Sequence, residues 1–108
     1  VKIGTTNDFY AAKNLSQTTV LKYNEYGDLV NSVRNKKVDA ILIDSTYGKY
    51  LNKKFSNTFS YKNTKETEQN FGIAFRKDDK ETLDSFEKFF TYWKESGKYK
   101  KTYAKYFD

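Results

Sequence analysis

Neither histidine nor cysteine occurs in this 108-residue chain. The usual general base, the commonest metal ligand and any thiolate nucleophile are therefore absent, and acid–base work falls to carboxylates, lysines and tyrosines. The carboxylate with the most distinctive setting is Asp44. It closes the run Val38-Asp39-Ala40-Ile41-Leu42-Ile43-Asp44, whose apolar centre has the profile of a buried strand that cannot easily bury the acids at its ends. From these residues alone, Asp44 reads as a helix N-cap or first-turn acid ahead of residues 46–51, favourable by roughly 0.5–2 kcal/mol. Asp39 reads as a solvated residue at the strand's entrance. A second polar constellation is Gly4-Thr5-Thr6-Asn7, a turn in which Thr6 or Asn7 caps the helix that follows.

The elements that must position these residues follow from periodicity. Residues 1–4 predict a short strand, and residues 8–15 a helix with Phe9, Ala12 and Lys13 or Leu15 at helical spacing. Residues 18–23 have the β-branched and aromatic content of a second strand. Asn24 is then expected to cap a helix over 25–37, whose Tyr26, Leu29, Val30 and Val33 fall at i, i+3, i+4 and i+7. A third strand over 38–44 leads into a helix over 45–55, begun by Ser45 or Thr46. This alternation with short connections predicts an α/β class with a mainly parallel sheet and helices packed on it. Residues 56–70 are polar and read as a surface loop with at most a short strand at 58–61. Residues 71–79 alternate Phe71, Ile73 and Phe75 as a strand does. A long helix, a stop at Gly97 and a final short helix complete the chain.

Composition bounds the function. The length suits one small domain, and with ten Tyr, nine Phe and one Trp the material for a core is concentrated in rings. A net charge of +6 invites a nucleic-acid reading, but the basic residues are scattered among acids through every segment, which favours a solvated lysine-rich surface and no nucleic acid. No window approaches the ~18 apolar residues of a membrane span. Val1 opens without a methionine, a signal peptide or a lipidated cysteine, so the chain reads as a processed or excised piece. In the long helix Leu83, Phe86, Phe90 and Trp93 share a face with Phe89 beside them. That stripe is either ordinary core or an interface.

Taken in order, four segments resemble one family, the type II periplasmic solute-binding proteins of ABC transporters for polar amino acids. They are Gly4-Thr5-Thr6-Asn7-Asp8, residues 26–45 (YGDLVNSVRNKKVDAILIDS), residues 71–79 (FGIAFRKDD) and residues 83–107. The resemblance covers nearly the whole chain but only about half of a two-lobed family member. It implies a three-layer α/β lobe over residues 1–76, including a return crossover strand, and C-terminal helices over 77–108 that would pack on a missing first lobe or a partner chain. It also implies that Asp44 faces the interlobe cleft and accepts hydrogen bonds from a ligand's α-ammonium. Thr5, Thr6 and Asn7 would meet the α-carboxylate at a helix start, where unpaired N–H groups and a partial positive charge suit an anion. The expected partners are an amino acid, held weakly by one lobe alone, and an ABC permease. A homodimer or domain swap through Leu83, Phe86, Phe90 and Trp93 is a further expectation. The resemblance implies no catalytic residue, cofactor or metal, and an extracytoplasmic location with the parent protein anchored to the membrane.

The sequence departs from the family pattern in two turns. The family's Asn-Gly-Lys/Arg appears as Asn35-Lys36-Lys37, which asks Asn35 to adopt the left-handed conformation, and Gly27 stands inside a helix. Arg34 and Arg76 are the only arginines, and neither occupies a position that would replace the first lobe's carboxylate-binding arginine. The competing readings are an enzyme or sensor domain on the same fold, dehydratase-like, and a basic nucleic-acid-binding domain. The first lacks a histidine, a cysteine and a carboxylate pair at motif positions.

Overall fold

The computed structural model describes residues 1–56, 58–64 and 69–108. Among these described residues the elements are five helices: α1 (Thr6–Asn14), α2 (Tyr26–Arg34), α3 (Ser45–Lys54), α4 (Lys80–Glu95) and α5 (Lys98–Phe107). The chain divides into a first unit, Val1–Gly48, and a second, Lys49–Asp108.

The mainly parallel sheet and three-layer α/β lobe expected from the alternation are overturned. Among the described residues the fold is helical, and strand pairing is confined to one isolated parallel bridge, Lys2 with Tyr23. Ile3 N–H donates to Tyr23 O, Tyr23 N–H to Val1 O and the Val1 amino terminus to Leu21 O, each at 2.9 Å, and among the described residues no longer ladder is built on them. The reason lies in where the backbone groups go. A strand needs lateral partners for its N–H and C=O groups. At the entrance to 38–44 those groups are drawn instead to the end of α2, where Lys37 and Val38 N–H both point at Ser32 O, at 2.8 and 3.4 Å. Ile41, Leu42 and Ile43 are half-buried, not enclosed on both faces as a parallel strand would be. Residues 71–79 form no strand either. Phe71 and Ile73, whose alternation predicted the strand, are 84% and 64% exposed. Residues 58–61 are likewise not a strand, and positions 57 and 65–68 of the polar stretch lie outside the described residues.

In the first unit, α1 starts one residue earlier than a Thr6 cap, and two earlier than an Asn7 cap, would have begun it. Thr5, extended at φ −92° and ψ 165°, is the N-cap, and its Oγ1 accepts from Asp8 N–H at 3.3 Å. The cap of α2 is also displaced, from Asn24 to Glu25, whose side chain makes no capping bond. The stripe on α2 is as its spacing requires: Leu29 and Val30 are buried and Tyr26 and Val33 half-buried. Together with Ala11 of α1, Leu29 and Val30 are this unit's buried apolar residues, at 1%, 1% and 5% exposure. After α2, Asn35 keeps φ −87°, and Lys36 takes the left-handed conformation at φ 57° in its place. The turn is therefore retained, with the strain one residue later and at the position where the family pattern has glycine.

In the second unit, α4 is capped by Asp79, whose Oδ1 accepts from Thr82 N–H at 3.1 Å and Oδ2 from Thr82 Oγ1 at 2.9 Å. These bonds, with a smaller contribution from Arg76, hold the Asp79 carboxyl below its usual range. Ser96 ends α4 and Gly97, at φ 77°, starts α5, so a left-handed glycine makes the sharp link between the two. The stripe Leu83, Phe86, Phe90 and Trp93 is half-buried. Phe86 meets Phe75 at 5.3 Å between centroids, and Trp93 meets Tyr99 edge-on at 5.3 Å. Lys49 Nζ donates to Tyr103 Oη at 3.2 Å, which raises the Lys49 pKa, and Lys53 Nζ donates to Ala104 O and Lys105 O at 3.2 and 2.9 Å. Among the described residues of this unit Leu51 is the buried apolar one, at 5% exposure.

Candidate functional site

The residues singled out from sequence converge in the first unit. Asn7 lies in the first turn of α1 and Asp44 immediately precedes α3, 37 residues later. Asn7 Nδ2 donates to Asp44 Oδ1 at 3.0 Å. The Asp44 backbone carbonyl takes the first helical bond of α3, from Gly48 N–H at 2.9 Å. Its carboxylate is exposed and engages Asn7, with no bond to an amide of α3 among the described residues. The position of a helix cap is thus occupied, while the carboxylate is left available to a ligand.

The three residues of the α1 turn differ in what they can offer. The Thr5 hydroxyl donates to Lys2 O at 2.7 Å and accepts from Asp8 N–H, so its proton is committed to holding the turn. Thr6 is exposed at the first position of the helix. Among the described residues the Thr6 and Asn7 amide N–H groups have no acceptor, as expected for the first turn of a helix. Two unpaired donors and one free hydroxyl therefore converge at the positive end of α1, beside the Asn7–Asp44 pair.

Asp8 supports this turn, and its role went unread in the sequence. It is 5% exposed; Oδ2 accepts from Gly4 N–H at 2.9 Å and Oδ1 lies 3.0 Å from Lys22 Nζ. The Gly4 amide first, then the Lys22 ammonium, hold its carboxyl below the usual range. Lys22 offsets a negative charge that would otherwise oppose an anion at the same helix start. The signal was present as Thr5-x-x-Asp8, the spacing of a capping box. Only half of that box forms: Thr5 caps Asp8, while the Asp8 side chain reaches past Thr5 to Gly4.

Two tyrosines complete the surroundings. Tyr26 of α2 and Tyr47 of α3 meet edge-on, with centroids 5.1 Å apart, and Lys2 Nζ sits 5.3 Å from the Tyr26 centroid. Burial first, then the Asp44 charge, then Tyr47 push the Tyr26 hydroxyl above its ordinary pKa. Periodicity identified Tyr26 only as part of a helical face; the approach of both rings to Asp44 depends on how three segments meet. Ile43 and Thr46, flanking Asp44, are half-buried, and Ile43 Cδ1 lies 3.8 Å from where a Cβ on Gly48 would stand.

The arrangement can accept hydrogen bonds from a cation at Asp44 and donate them to an anion at Thr6 and Asn7, a few residues apart in space through the Asn7–Asp44 contact. A model of the family described as bacterial extracellular solute-binding proteins, family 3, matches residues 8–108. No curated protein and no solved structure matches the chain.

Proposed function

The chain belongs to the bacterial extracellular solute-binding proteins, family 3, and from that premise we propose that it is one lobe of a type II receptor that holds a polar amino acid and hands it to an ABC permease. Proteins of this family bind small solutes outside the cytoplasm. In this reading Asp44 accepts hydrogen bonds from the ligand's α-ammonium, and the Thr6 hydroxyl with the Thr6 and Asn7 amides receives the α-carboxylate. Thr5 holds the turn, and Tyr26 and Tyr47 wall the carboxylate. The observation that carries the reading is the 3.0 Å bond from Asn7 Nδ2 to Asp44 Oδ1, which joins an exposed acceptor for an ammonium to a helix start suited to a carboxylate.

One wall of a cleft leaves much of the ligand in water, so affinity is weak, on the order of millimolar. The test is a heteronuclear NMR titration of the chain with a panel of polar L-amino acids. Saturable shifts at Thr6, Asn7 and Asp44 are expected, lost on Asp44→Asn and lost again when the ligand's amine is acetylated. Shifts that avoid these residues, or that survive Asp44→Asn, refute the site. Micromolar binding by calorimetry refutes the single-wall argument.

A further inference from the structure

The second unit carries a face that solute binding does not use. Within its ten residues α5 has Lys98, Lys100, Lys101 and Lys105 and no acid. Lys98, Lys101 and Lys105 recur at i, i+3 and i+7 along one side of the helix. Tyr99 and Tyr106 run beside them, 44% and 46% exposed, whereas Tyr103 and Phe107 are half-buried with centroids 4.8 Å apart. From α4, Phe89 and Tyr92 are also exposed, at 55% and 57%. Ammonium groups lie over these rings: Lys105 Nζ is 5.2 Å from the Tyr106 centroid, and Lys98 Nζ is 5.1 Å from that of Tyr92. Over residues 88–108 six lysines face two acids, Glu95 and Asp108.

We infer that this face of α5, extended by Tyr92 and Phe89 of α4, docks the chain reversibly on an anionic phospholipid surface. Exposed lysines interleaved with exposed tyrosines match the chemistry of a lipid headgroup layer: anionic phosphates beside an amphipathic interface. A negative leaflet attracts such lysines. Lysine with tyrosine also suits a nucleic acid; the extracellular description of the family favours a lipid surface over it. The helix lies flat, because ten residues span only about 15 Å, and no described helix is long and apolar enough to cross a membrane.

The experiment is cosedimentation of the full chain with vesicles of equimolar phosphatidylglycerol and phosphatidylcholine, and with vesicles of phosphatidylcholine alone. Binding is expected only to the first, falling as salt rises. The triple variant Lys98→Gln, Lys101→Gln, Lys105→Gln should weaken it on the order of a hundredfold, about fivefold per lysine. Lys13→Gln, Lys36→Gln, Lys37→Gln, which removes the same charge from the first unit, should weaken it less than about tenfold by the same argument. Trp93, the chain's one tryptophan, gives a readout without mutation: brominated phosphatidylglycerol should quench its emission. Equal binding to both vesicles, equal losses in the two triple variants, or an unquenched Trp93 overturns the proposal. So does tighter binding to duplex DNA at the same salt, which would make the face a nucleic-acid site.

Discussion

Replacing Leu29 by alanine tests whether the first unit rests on the few side chains it buries. Leu29 is 1% exposed and shares the interior with Ala11 and Val30. Truncation of a fully buried leucine costs about 2–5 kcal/mol, from lost transfer energy and the cavity left behind. At about 0.05–0.15 kcal/mol per residue, a unit running from Val1 to Gly48 has only roughly 2–7 kcal/mol of stability to lose. The two magnitudes overlap, so one substitution should bring the unit close to its unfolding midpoint. Amide hydrogen exchange is the direct assay. Protection across α2 in Leu29→Ala should fall on the order of 30- to 5,000-fold, the same 2–5 kcal/mol expressed as an opening equilibrium. Leu29→Met, which conserves volume, should cost less than about 1.5 kcal/mol and keep most of that protection. If Leu29→Ala retains α2 protection within a factor of about three, the buried trio is not what holds this unit, and the ledger drawn from burial is wrong.

Gly27 sits in α2 with no heavy atom within 4 Å of the position its Cβ would take. Gly27→Ala should therefore raise stability by about 0.5–1 kcal/mol, seen as a higher urea midpoint at unchanged slope. Lys36→Gly should also stabilise, by about 1 kcal/mol, because it relieves a left-handed residue with a side chain; a loss of stability would show that the lysine makes contacts worth more than the strain. Asp8 has a depressed folded-state pKa, so its contribution is complete above its unfolded value near about 4 and is lost as pH falls through the lower folded value. Wild-type protein should accordingly lose stability more steeply than Asp8→Asn as pH falls below the unfolded carboxyl's range, and parallel pH profiles would contradict the assignment.

Helices were legible in this sequence because their evidence is local. The i, i+3, i+4, i+7 spacing of Tyr26, Leu29, Val30 and Val33 names a face without reference to any other segment. Caps were legible only to within a residue. Thr5, Thr6, Asn7 and Asp8 are all competent near a helix start, and the choice of Thr5 depends on Lys2 O accepting its proton. That no sheet forms among the described residues was not legible, because alternation at Phe71, Ile73 and Phe75 says which residues share a side but not whether a neighbouring strand exists to bond them. The same limit hid Tyr26 and Tyr47 as neighbours of Asp44, whereas Asn7 and Asp44 were proposed as parts of one site on resemblance and are found in contact.

The Ser96–Gly97 link has a consequence for the order in which the chain assembles. Because it joins α4 and α5 directly, the ring contact between Trp93 and Tyr99 closes a loop of a few residues. The Asn7–Asp44 bond closes one across a separation of 37. Loop-closure entropy grows as the logarithm of length, which places the longer closure about 2 kcal/mol behind the shorter. The helical hairpin should form early and the Asn7–Asp44 contact late, with high φ-values at Trp93 and low ones at Asn7. Substitutions in the hairpin then set how fast the chain folds, whereas those around Asp44 set how long the folded state lasts, leaving the site free to change in sequence without slowing folding.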